Sequence, residues 1–289
     1  MSIDKLHERI RKYKNPLVVD FAVKDEMLPQ FLLDEEGSVL LAYTRFCREL
    51  LEGLADSVPG VRFSFDTFAL FGEDGLRSMR ELLQLAEEKG FFVILDSPQI
   101  LTPWGADRAA DGIFGSYPCD AQLFCPYVGS DAVRPFLPYC KDSGKSVFAV
   151  VRSPNRSAAE FQDLLSGSRL VQSAVAEMVN RFGDPMRGKC GYCQVAAAVS
   201  AGHPDSLRTL RAKYNRMFLL VDGLDYPSGN AKNCSYAFDR FGYGAAVCAG
   251  PSVTCAWKNM EMDETDFVLG AQQAAERIKR NILRYITIL

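Results

Sequence analysis

Short apolar runs alternate with amphipathic runs from one end of the chain to the other. Eight of the apolar runs are too short for helices: residues 17–20, 61–65, 91–96, 121–125, 146–151, 194–199, 217–221 and 245–248. Each is rich in Val, Leu, Ile, Phe or Ala without polar alternation, as expected of parallel strands covered on both faces. Helical patterns fall between them at 39–58, 73–89, 132–141, 158–165, 169–182, 205–214 and 263–285. Gly90 stands where a helix C-cap belongs and Pro204 near a helix start. The Gly- and Pro-rich stretches at 102–118, 183–193 and 223–233 read as loops, and none divides the chain. Eight strands with intervening helices predict an α/β protein, a single (β/α)8 barrel domain over residues 1–289. An N-terminal helix is expected at about 1–14 and a C-terminal helix at about 263–285. An open, doubly wound sheet has the same alternation and stays as the alternative.

Composition acts mainly by exclusion. With 289 residues, 48% hydrophobic and 24% charged, the chain can bury a large core. A net charge of −3 gives no global field for nucleic acid or an anionic membrane surface. Arg277, Lys279, Arg280 and Arg284 read as the solvated face of the last helix. No run of about 18 apolar residues predicts a membrane span. The charged segment from Met1 to Lys14 lacks the apolar core of a secretory signal. The 9 cysteines are odd in number and scattered, which favours reduced thiols and a cytoplasmic location. Cys190-Gly-Tyr-Cys193 lacks the second half of a zinc site and a redox context, so neither a metal nor a cofactor is expected.

Candidate chemistry lies at the strand ends. Asp20 and Asp96 close two apolar runs, at the rim where barrels of this kind work. Each is either a ligand contact or an internal ion-pair partner, and Arg62 is the obvious partner for Asp96. Asp66 either lines a pocket or is a solvated loop residue. His203 opens a Gly-His-Pro-Asp loop as a helix cap, and His7 lies in a polar helix, where it is expected to be solvated. Trp104 follows Asp96 and could cover a pocket, whereas Trp257 reads as packing. Gly188-Lys-Cys-Gly191 lacks the spacing of a phosphate-binding P-loop.

Several segments, in order, resemble one family. Asn15-Pro-Leu-Val-Val-Asp20, Val61-Arg-Phe63, Cys125-Pro-Tyr-Val-Gly-Ser-Asp131 with Pro135-Phe136, Val150-Val-Arg-Ser-Pro-Asn155 and Ala158-Ala-Glu-Phe-Gln-Asp163 are similar to blocks of the orotidine 5′-phosphate decarboxylases, in the longer bacterial branch. That family resemblance spans roughly residues 15–256. It implies a cofactor-free barrel linked to UMP synthesis, a nucleotide-like ligand and a homodimer. It also implies ligand contacts at Asp20, Ser153 and Asn155.

The family reaction removes a carboxylate from a pyrimidine ring and protonates the carbanion left behind. An ammonium must stand beside that carbanion, held by carboxylates. The resemblance implies an alternating Lys-Asp-Lys-Asp array for this purpose. Here Arg62 stands at the first lysine, Asp96 matches, Pro98 replaces the second lysine and Leu101 the last aspartate. A planar guanidinium does not replace a compact ammonium, and losing a general acid costs about 10²–10⁴-fold. The family's phosphate-gripping glutamine and arginine positions fall on Pro227 and Pro251, and Asp222 and Asp225 nearby would repel a phosphate. Three expectations follow. The chain is a decarboxylase-like barrel whose reaction is lost or strongly impaired, or an active enzyme with a lysine recruited from elsewhere, Lys232 being the nearest candidate. The third is a non-catalytic partner that pairs with an active homologue.

Overall fold

The computed structural model describes residues 1–96 and 100–288. Eight parallel strands close into a barrel: β1 (Leu17–Asp20), β2 (Gly60–Ser64), β3 (Phe92–Asp96), β4 (Ala121–Phe124), β5 (Ser146–Arg152), β6 (Val195–Ser200), β7 (Leu219–Asp222) and β8 (Ala245–Ala249). Each neighbours the next, and β8 returns to pair with β1. The (β/α)8 expectation is met and the open sheet is excluded. Strand boundaries differ from the expected runs by at most two residues, more often at the C-terminal ends, and β1 matches its run.

Alternation along these strands sorts side chains into two apolar clusters. Val19, Val61, Leu95, Val147 and Val221 pack with the surrounding helices. Val18, Ile94, Leu123, Phe148, Ala198, Leu220 and Cys248 pack with one another inside the barrel. The N-terminal helix, Ser2–Tyr13, adds Ile3, Leu6 and Ile10 to that second cluster and so closes one end of the barrel. Polar contacts fix it there: Ser2 Oγ meets Ser146 Oγ at 2.6 Å, and Lys5 Nζ reaches Asp120 at 2.7 Å. The Cys190 amide donates to Asp4 at 2.8 Å.

Residues 102–118, expected as a loop, contain a helix at Pro103–Ser116. Thr102 caps it, its Oγ1 accepting from the Gly105 amide at 3.0 Å, and Pro103 sits in the first turn where its missing N–H costs nothing. Ala106, Ala109, Ala110 and Ile113 recur at helical spacing and are buried. Gly105, Gly112 and Gly115 hide this pattern, each costing about 1 kcal/mol relative to alanine; the buried stripe outweighs them. Elsewhere expected helices shorten. The 132–141 pattern becomes two 3₁₀ turns and a helix at Leu137–Asp142, and the 158–165 pattern a single turn at Ala159–Gln162. Leu165–Ser166 then pairs with Arg169–Leu170 in a hairpin around Gly167, whose φ of 67° suits glycine. No helix among the described residues is long and apolar enough to cross a membrane.

Candidate functional site

The register of the barrel sets Asp20 on β1 opposite Arg62 on β2. Both are buried at the C-terminal mouth of the barrel, and Arg62 Nη2 donates to Asp20 Oδ2. The same guanidinium reaches across the mouth to Asp222 at the end of β7, with Nη1 donating to Oδ2 at 3.0 Å. Asp96, at the end of β3, approaches Arg62 Nε only to 3.8 Å, and neither Nε nor the buried Asp96 Oδ1 makes a hydrogen bond among the described residues.

One guanidinium thus faces three carboxylates. Burial opposes charge on Arg62, but Asp20, Asp222 and Asp96 together hold its proton well above the ordinary affinity. The converse holds for Asp96. Burial pushes its carboxyl up to about 7; Arg62 pulls the other way, while the charges of Asp20, Asp222 and Asp66 add to the rise. Burial and the excess negative charge favour a proton on Asp96, the carboxyl farthest from the guanidinium.

Above this cluster opens a cavity of about 470 Å³, lined by Asp20, Arg62 and Asp222, by Lys24 and Met27 after β1, and by Pro154 after β5. The loop after β7 contributes Gly223, Asp225, Tyr226 and Pro227, and β8 with its following turn contributes Cys248, Gly250 and Pro251. Asp225 Oδ2 accepts from the Gly250 amide at 2.5 Å, tying these two loops together. The Cys248 thiol is buried and held well above its ordinary range by that burial, so it is not a nucleophile at neutral pH. Among the described residues no group of His, Cys, Asp or Glu side chains converges to hold a metal ion.

The expected site residues divide. Asp20 and Arg62 meet in the cavity wall. Asp96 touches Arg62 from outside the lining, and Arg62 spends its hydrogen bonds on Asp20 and Asp222 rather than on Asp96, because the barrel register brings those two nearer. Ser153 and Asn155 do not line the cavity; Pro154 between them does. Ser153 Oγ bonds Asn155 Oδ1 at 2.7 Å, and Asn155 Nδ2 donates to Ser157 Oγ at 3.0 Å. Lys232 lies exposed on the short helix Ala231–Ser235, outside the lining, and Lys24 is the lysine that reaches the cavity. Leu101 is exposed, Asp66 is exposed on a short helix after β2, and Trp104 projects outward with 72% of its surface accessible rather than covering the cavity. Pro98 lies outside the described residues.

The role of Asp222 as a second anchor for Arg62 was missed, although a signal existed. Leu219-Leu-Val-Asp222 repeats the pattern of Leu17-Val-Val-Asp20, and both strands end on an aspartate at the same rim. His203 is the N-cap residue of the helix Pro204–Lys213, as expected, though its side chain makes no capping hydrogen bond. Its Nε2 faces Arg152 Nη2 at 2.8 Å, while Arg152, 2% exposed, also holds Asp163 through two contacts of 2.9 and 3.0 Å. His7 is half-buried and packs at a tilt against the Tyr243 ring, centroids 4.6 Å apart, rather than standing free in solvent.

No family model matches the chain. Curated relatives do. An orotidine 5′-phosphate decarboxylase of Rhodopirellula baltica is 31% identical over 248 residues, 82% of either chain. One of Caldicellulosiruptor bescii is 26% identical over 297 residues, covering 96% of this chain and 97% of its own. Among solved structures, Leishmania donovani OMP decarboxylase aligns with a TM-score of 0.75 at 22% identity over 98% of both chains. Plasmodium berghei orotidine 5′-monophosphate decarboxylase aligns at 0.80 and 12%, over 98% of this chain and 97% of its own.

Proposed function

Because this chain belongs to the orotidine 5′-phosphate decarboxylase family, we propose that it keeps the family's barrel and a ligand cavity at its mouth but has lost the decarboxylation that leads to UMP. The observation that carries this reading is the state of Arg62. Its guanidinium is buried and engaged by Asp20 and Asp222, with Asp96 behind it. A cation so held is not poised to protonate a carbanion, since an arginine does not release its proton at working pH. Asp96, with its affinity raised to about 7, is only partly ionised at neutral pH and to that extent crowds a substrate carboxylate less than a fully ionised group does. The sequence offers proline at position 98 in place of the family's lysine.

One feature favours the rival reading of an active enzyme. Lys24 lines the cavity, and its Nζ stands 3.8 Å from exposed Glu26, a loose pairing that a substrate could break. The experiment is a sensitive spectrophotometric assay with orotidine 5′-phosphate on the wild-type chain and on Lys24→Ala. Absence of turnover in both supports the proposal. Turnover that disappears in Lys24→Ala sinks it and makes Lys24 the recruited acid.

We further propose a homodimer, or pairing with an active homologue. Exposed Leu70, Trp104 and Val128 follow three consecutive strands, β2, β3 and β4, on one side of the barrel. Light scattering on the purified chain, alone and mixed with an active relative, distinguishes the two. The free cysteines support a reducing, cytoplasmic setting.

A further inference from the structure

The loops after the seventh and eighth strands of such barrels are where phosphate groups are commonly held, by backbone amides. In this chain several of those amides are already in use. Gly250 N donates to Asp225 Oδ2 at 2.5 Å. In the loop after β7, Gly223 N donates to Asp222 Oδ1 at 2.8 Å, Tyr226 N to the Gly223 carbonyl at 3.2 Å, and Gly229 N to the Tyr226 carbonyl at 2.8 Å. Pro227 and Pro251 line the same wall and have no N–H to offer. The carboxylate of Asp225 therefore sits on an amide that an external anion would otherwise use.

Charge argues the same way. The lining carries Asp20, Asp222 and Asp225 against Arg62 and Lys24. Arg62 is bound to two of those carboxylates, and Lys24, loosely paired with exposed Glu26, is the one cation of the lining left to meet a phosphate against three carboxylates. A phosphomonoester brings a charge of about −1.5 to −2 at neutral pH. Meanwhile the Asp225 carboxylate, exposed at the cavity wall, can offer its other oxygen to a hydroxyl or amino donor of a ligand.

We infer that the cavity takes an unphosphorylated ligand that presents a hydroxyl or amino donor to Asp225, and that Asp225 is the residue that excludes phosphomonoesters. This rests on the reading that the barrel has left the family reaction, and it names the ligand class that replaced the nucleotide. Two substitutions separate charge from geometry. Asp225→Asn removes the charge and keeps an oxygen for the Gly250 amide. Asp225→Gly frees that amide altogether.

The test is calorimetric titration of the full chain with inorganic phosphate, UMP and uridine, a pair that differs only in the phosphate. Wild type is expected to give no heat with phosphate and to bind UMP no better than uridine. Asp225→Gly is expected to improve UMP binding by about tenfold or more, with a smaller gain in Asp225→Asn, because a like-charge contact and an occupied donor are both removed. Uridine affinity, where measurable, should fall in Asp225→Gly, which removes the acceptor, and fall less in Asp225→Asn, which keeps an oxygen but not the charge. If wild type binds neither compound, a gain of phosphate or UMP binding in Asp225→Gly still carries the inference and its absence overturns it. Wild-type binding of UMP well above uridine, or an unchanged ratio in both variants, also overturns it. These outcomes are separate from the decarboxylation assay: phosphate-dependent binding without turnover sinks this inference alone, whereas turnover sinks the functional reading. Thermal melting of each variant guards against misfolding.

Discussion

Arg62 Nη1 stands 3.0 Å from Asp222 Oδ2, a contact that crosses the barrel mouth between strands that are not neighbours. With Asp20 on the adjacent strand it turns a buried cation into a tie between β2, β1 and β7. The pairing explains how the Arg62 guanidinium, on a residue that is 9% exposed, tolerates its burial, and why it is poorly suited to act as a mobile acid.

Removing that cation should be severe. Arg62→Met leaves Asp20, Asp222 and Asp96 facing one another in a largely buried mouth, and a loss of about 3–5 kcal/mol is expected. Urea denaturation at pH 7.5 reads it. Part of the loss should return as the pH is lowered and the carboxylates take up protons. A change within experimental error at both pH values would show that the cluster contributes nothing to stability.

Asp96 makes a prediction of opposite sign. Its carboxyl is raised to about 7 in the folded chain, against about 3.9 when unfolded. Between these values the folded state holds the extra proton, so stability falls as pH rises from about 4 to about 7, and the full cost is present above that. Asp96→Asn should therefore raise the melting temperature at pH 8, on the order of 2 °C. The gain should shrink toward pH 4.5. Equal effects at both pH values would contradict a raised carboxyl.

His203 acts at the acid side. Burial, and then the charge of Arg152, lower its affinity for a proton, with Asp163 opposing. The unfolded chain binds that proton more readily, so its contribution is fully present above about pH 6.5 and is lost as pH falls toward the lower folded value. His203→Gln should flatten the stability profile between pH 6.5 and 5, judged against wild type by thermal melting. His7 is also lowered, by burial and by Arg11, so a residual slope should persist until His7 is replaced too.

Closure of the barrel floor can be probed apart from the mouth. Leu6 is fully buried among the interior cluster. Leu6→Ala should cost about 2–5 kcal/mol, with ligand binding at the mouth unchanged where the chain remains folded. A loss of binding at full folding would mean that the floor and the mouth are coupled.

Much of this protein was legible without coordinates. The eight apolar runs, the barrel and the position of Asp20 follow from local pattern, because a strand covered on both faces is apolar along most of its length and a polar residue at its end reaches the rim, whereas Arg62, in the middle of its strand, stood out through the family resemblance. The helix at Pro103–Ser116 was hidden because glycines diluted its stripe of small buried residues, a signal that becomes strong only when another surface packs against it. The partners of Arg62 were beyond local pattern altogether. Asp96 looked nearest along the chain, yet barrel closure brings Asp222, 160 residues away, to hydrogen-bonding distance. The same closure seats Asp225 on the Gly250 amide and keeps Ser153 and Asn155 out of the cavity. The chain's order of apolar and polar residues determines that a barrel forms and which residues reach its rim. Which of those rim residues touch depends on strand register and on the circumference of the closed sheet, and those exist only once every strand has paired.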